Sequence, residues 1–104
     1  MTLRDLLVDA VGQLDDVTTE LGSDGAVTWA RAGRPFATVS PDGASATFGL
    51  DLPVAAAAAR TPDVESSSRG AGWVDFAPAD LDDHAADRAV AWLASAHRRL
   101  GPRD

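Results

Sequence analysis

Between Ala26 and Leu50 turn-forming residues cut the chain into short extended segments: AVTWARA, then Gly33-Arg34, then PFATVS, then Pro41-Asp42-Gly43, then ASATFGL. Segments this short, with so few residues between them, pair most readily with their sequence neighbours, which predicts an antiparallel three-stranded meander. Alternation places Ala37 and Val39 on one face of the second strand, and Ala46, Phe48 and Leu50 on one face of the third. Such apolar faces must be covered, and the flanking sequence supplies helices to cover them.

Leu3, Leu6, Leu7, Ala10, Val11 and Leu14 recur at helical spacing, and Thr2 with Asp5 forms a capping-box-like start, so the chain opens with an amphipathic helix. The stretch from Asp15 to Asp24 reads either as an irregular connection or as a short edge strand. After the meander, Asp51-Leu52-Pro53 offers a helix cap and an early-turn proline to an alanine run through Ala59, which Thr61-Pro62 stops. Asp63 to Gly72 reads as a polar loop, and GWVDF as a strand with Trp73 and Val74 on opposite faces. Behind Asp80, Asp82 and Asp83, a last helix holds Ala86, Ala89, Val90, Leu93, Ala96, His97 and Leu100 in one stripe and ends at Gly101-Pro102. The order helix, three-stranded meander, helix, strand, helix defines an α+β fold, an antiparallel sheet with helices packed on one face.

A chain of 104 residues buries roughly 65% of its unfolded surface, which suffices for one core, so residues 1–104 are expected to form one domain. No apolar run reaches the roughly 18 residues of a membrane span, and Asp5 and Asp9 interrupt the opening segment, which does not read as a signal peptide. The absence of cysteine removes disulfides, thiolate nucleophiles and zinc ribbons, and makes a cytoplasmic location the simplest expectation. The net charge of −7 opposes general attraction to nucleic acid and to anionic lipid.

From Arg34 to Leu100 the chain resembles the YjbR/MmcQ family of small proteins. The resemblance rests on Pro35-Phe36-Ala37 at a strand start and on Phe48-Gly49-Leu50-Asp51-Leu52-Pro53 leading into a helix. Thr61-Pro62-Asp63, Gly72-Trp73-Val74 and the terminal AWLASAHRRL complete it. It implies a fold related to the frataxin/CyaY-like arrangement and carries over no catalytic or DNA-contacting residue, although the family often bears a DNA-binding label. The Gly-Trp-Val strand and terminal helix are also similar to the N-terminal domain of TfoX-type competence regulators.

No nucleophile motif accompanies Ser66, Ser67 and Ser68, and neither phosphate-loop pattern occurs, so no catalytic residues are assigned and the chain is not expected to be an enzyme. Asp83, His84 and Asp87 are neighbours on the last helix, but an acidic, solvated first turn accounts for them without a metal or other cofactor. His97 on the apolar stripe reads as a satisfied, half-buried histidine, and Asp5 with Asp9 as ordinary surface carboxylates. The candidate ligand-binding residues are Arg31 and Arg34 beside the first hairpin, Arg60 after the alanine helix and Arg69 in the glycine/serine loop. Loops at one sheet end would gather these guanidinium groups to receive a phosphate or carboxylate, unless surface acids neutralise each one. Trp73 and Trp92 are the candidate interaction surface, Trp92 because it falls about 100° from the stripe centre. Together these readings give a non-catalytic binding or interaction domain whose partner is a protein or a small anion. Nucleic-acid binding through a local arginine patch, and an enzyme with an unrecognised carboxylate site, are the competing readings.

Overall fold

The structure is a computed structural model describing residues 2–100, so the expected Gly101-Pro102 stop and Arg103 lie outside the described residues. Thr2 caps α1 (Leu3–Val11) as the sequence suggests: its hydroxyl accepts from the Asp5 amide at 3.1 Å, and its own amide donates back to the Asp5 carboxylate at 3.1 Å. The Thr2 amide bond, and after it the neighbouring Thr2 hydroxyl, hold the exposed Asp5 carboxyl below its usual range.

The stretch after α1 resolves as an edge strand, β1 (Val17–Leu21). It pairs with β2 (Val27–Arg31), which turns through Ala32 and Gly33, both at positive φ, into β3 (Arg34–Val39). The tight turn therefore falls one residue earlier than Gly33-Arg34, and Arg34 belongs to the strand. The Ser40–Ser45 loop then leads to β4 (Ala46–Gly49). Asp42 organises this loop, accepting from the Ser40 hydroxyl at 2.5 Å and the Ala44 amide at 3.0 Å; these bonds, the hydroxyl first, hold its carboxyl below the ordinary range.

Asp51 occupies the N-cap of α2 (Leu52–Ala58), but its side chain makes no capping hydrogen bond. The expected polar loop contains β5 (Val64–Ser66), a short strand that borders β6 (Trp73–Phe76). Polar composition hid it: Glu65 and Ser66 are exposed, and only the buried Val64 shows an apolar pattern. The chain closes with α3 (Asp83–Arg99), whose N-cap Asp82 accepts from the Ala85 amide at 2.8 Å.

All strand pairs are antiparallel, giving one six-stranded sheet in the order β1-β2-β3-β4-β6-β5. Ala37, Val39, Ala46, Phe48, Val74 and Phe76 share one face and belong to a single core with Leu3 and Leu7 of α1, Ala55 and Ala58 of α2, and Ala89 and Leu93 of α3. The helices thus lie on one face. The opposite face carries a row running across every strand, Glu20, Thr28, Thr38, Thr47, Asp75 and Glu65, each facing the next.

Two details depart from simple alternation. Trp29 pairs with Ala37 but Ala30 pairs with Pro35, so Phe36 is the extra residue of a bulge, and both Phe36 and Ala37 are buried on the helix side. On α3 the buried stripe is Ala85, Ala89, Leu93, Ala96 and His97, whereas Val90 is exposed. Trp92 lies beside this stripe, its ring 5.1 Å from Phe76 and 6.2 Å from Phe48. It is half-buried and packs against the edge of the core.

Candidate anion-binding corner

The antiparallel registers bring Arg31, Arg34, Gly49 and Trp73 to one end of the sheet, where α3 also ends. The sequence expectation that arginines gather at a sheet end holds there for Arg31, Arg34 and Arg69. It fails for Arg60. Helix α2 starts beside Leu50, whose amide donates to Gly72 O at 2.8 Å, and runs away from that end. Arg60 therefore lies near Asp63, whose carbonyl accepts from the Ala77 amide beyond the far end of β6.

Arg31 is already engaged. Its guanidinium donates to His97 O at 3.0 Å, satisfying a carbonyl in the last turn of α3, and lies 3.2 Å from His97 Nδ1. Because a guanidinium only donates and a carbonyl only accepts, Nδ1 is the acceptor and Nε2–H donates to Asp15 O at 2.5 Å. His97 is buried with its ring edge-on to Phe36 at 5.5 Å. Arg31 and His97 therefore clasp β2, α3 and the α1–β1 connection together, and Arg31 is removed from the set of free anion ligands.

Arg69 is placed differently. Its Cζ sits 4.6 Å from the centre of the Trp73 ring, on a loop that Ser67 tightens by accepting from the Arg69 amide at 3.2 Å. Trp73 pairs with Gly49, and a Cβ there would come within 2.9 Å of the indole Cζ2, so glycine is what lets the ring lie against β4. Arg99 arrives from α3, donating through Nε to Gly49 O at 3.1 Å, with Nη2 3.1 Å from where that Cβ would stand. The indole thus has one guanidinium over its face and another beside the edge that meets Gly49. Gly72, at φ +83°, opens this strand; a Cβ there would collide with Leu50 O and lie 3.8 Å from Cδ2 of the exposed Leu52.

Arg99 was missed from sequence because its place near a helix C-terminus already had an explanation in the helix dipole. Spacing does contain the signal: Ala85, Ala89, Trp92, Ala96 and Arg99 follow one helical row. No described acid pairs with the arginines of the corner other than Arg31. Among the described residues the only ion pair is Arg31 with Asp16, at 4.0 Å; Arg34, Arg60, Arg69 and Arg99 have no carboxylate within that distance.

The carboxylates collect elsewhere. Asp63, Glu65 and Asp75 line an open groove of about 420 Å³ along β5 and β6 with Val64 and Ala77. Asp63 and Glu65 are exposed, and Asp75 accepts from the Thr47 hydroxyl at 2.6 Å. Asp83, His84 and Asp87 are exposed, and among the described residues no three acidic or histidine side chains are arranged to hold a metal ion. No described helix is long and apolar enough to cross a membrane.

Fold and corner together define the class: a small α+β domain with an antiparallel sheet, helices on one face, and an arginine-flanked tryptophan at one sheet end. No known protein-family model matches the chain, and no curated protein matches it in sequence.

Proposed function

We propose that this chain is a non-catalytic binding domain that receives a carboxylate or phosphate group at the Arg69–Trp73–Arg99 corner. The observation that carries this reading is the pair of guanidinium groups beside a half-buried indole, neither paired with a carboxylate among the described residues, in a chain rich in acids. Guanidinium forks match carboxylate and phosphate geometry, and stacking on an indole orients Arg69 before a ligand arrives. Exposed Leu52 beside Gly72 suits a partner that carries an apolar group next to its anion. A distant YjbR-like origin fits this reading through the motifs around Phe48 to Pro53 and Gly72 to Val74.

The test titrates inorganic phosphate, a glutamate-rich peptide with one leucine, and random-sequence duplex DNA, with tryptophan fluorescence and calorimetry as readouts. Trp73 is the reporter at the corner, since Trp29 is buried and Trp92 packs on Phe76. The peptide, short enough to present its carboxylates and its leucine to the corner alone, is expected to bind, and duplex DNA to bind little at physiological salt, because a rigid duplex extends past the corner over the rest of a chain of net charge −7. Salt-sensitive micromolar binding of DNA would instead favour the nucleic-acid reading, and failure of all three probes would overturn the site.

A further inference from the structure

We infer that β1 is a self-complementary edge, pairing with β1 of a second copy of this chain in antiparallel register centred on Thr19. The backbone of the edge sets up the argument. Gly22 donates to Ala26 O at 2.7 Å, and these two residues are the next step of the β1–β2 register beyond Leu21 and Val27. Hydrogen-bonding direction alternates along a strand, so Glu20 and Thr18 also turn their N–H and C=O toward β2. Val17, Thr19 and Leu21 therefore turn theirs outward, with no partner among the described residues along a five-residue edge.

Edges of this length are ordinarily blunted by proline, by charged side chains, lysine above all, or by a bulge, and the one charge on β1 is Glu20. VTTEL has no proline and no basic residue, and the bulge of this sheet lies between β2 and β3. The opposite edge, β5, has only three residues. Among the described residues Leu21 is also the most exposed of the large apolar side chains, at 72%.

A second copy fits the edge in particular. Two-fold pairing about Thr19 sets Val17 opposite Leu21 of the second copy on the helix side, and Thr18 opposite Glu20 of the second copy on the other face. Apolar meets apolar, a hydroxyl meets a carboxylate, and no two like charges face one another. The outward backbone groups of Val17, Thr19 and Leu21 then find partners, and Leu21 loses most of its exposure. A strand pair this short buries less than the roughly 1,200–2,000 Å² of a stable interface. Two copies at −7 also repel. The association is therefore weak and strengthens with salt.

Sedimentation velocity from micromolar to millimolar protein, at low and high salt, tests this on the full chain. Wild type is expected to shift toward dimer with concentration, and more so at high salt. Thr19→Pro deletes an outward N–H that the monomer does not use, so it should remain monomeric while keeping its fold. Thr18→Pro deletes an inward one and should lower the melting temperature. Leu21→Glu, at an exposed position, is the second dimer-breaking variant if Thr19→Pro fails to fold. A wild type that stays monomeric at millimolar concentration and high salt overturns the inference, as does a dimer that survives Leu21→Glu or a folded Thr19→Pro.

Discussion

Arg31 and Arg69 stand at the same end of one sheet, each against an aromatic ring, and differ in what remains for a ligand. Arg31 comes from the end of β2 onto α3, where a backbone carbonyl and a histidine nitrogen take its donors and Asp16 lies within ion-pair range. Arg69 comes from an exposed loop, where only its backbone amide and the Trp73 ring hold it. A cation placed by the sheet ladder becomes part of the scaffold. A cation placed by a loop keeps its donors for something else.

That contrast can be broken at the scaffold first. Leu93 is buried under α3 against the sheet, so Leu93→Asp places an unpaired carboxylate in the core and costs several kcal/mol, of the order of the whole stability. The variant is expected to be unfolded by circular dichroism, and a native melting curve would refute the helix-cover architecture. Arg31→Ala should be the next largest effect. It strands His97 Nδ1 and removes a partner of His97 O, costing about 2 kcal/mol and lowering the melting temperature by on the order of 10 °C. An unchanged melting temperature would mean that Arg31 is as free as Arg69.

Acid provides a gentler probe, aimed at the α1 cap and the Ser40 loop. The folded carboxyls of Asp5 and Asp42 lie below their ordinary value of 3.8, so the unfolded chain takes up their protons first as pH falls. Their contribution is present above that value and is lost as pH drops through the folded-state values. Melting temperature should fall across about pH 5 to 2, and the Asp5→Asn, Asp42→Asn double variant should show a shallower decline. An equal slope in both proteins would remove the Thr2 cap and the Ser40 loop as its source.

Legibility in the sequence followed contrast. The meander showed itself because turn residues alternate with apolar strands, and α1 because Thr2 and Asp5 spell out its cap. Strand β1 was ambiguous since its exposed residues carry little apolar pattern, and β5 was read as loop for the same reason. The stripe of α3 was set too far toward Val90 because alanine on several faces flattens the amphipathic signal. Phe36 could not be placed from alternation because a bulge moves it across the sheet. At the corner, residue types identified Arg69 and Trp73, but the direction of α2 separated Arg60 from them and the reach of Arg99 to Gly49 O added a member.

The central claim, that the corner binds while the clasp only supports, is tested most directly by Arg69→Ala. Affinity for the glutamate-rich peptide and melting temperature would be measured on the same preparation. A loop arginine stacked on a half-buried ring contributes about 0.5 kcal/mol to stability, so the melting temperature should move by only a few degrees. Loss of one charge-assisted contact, at about 1.5–3 kcal/mol, should weaken peptide binding by on the order of tenfold or more. Equal peptide affinity in wild type and Arg69→Ala would contradict the account and return the loop to being a connection between β5 and β6.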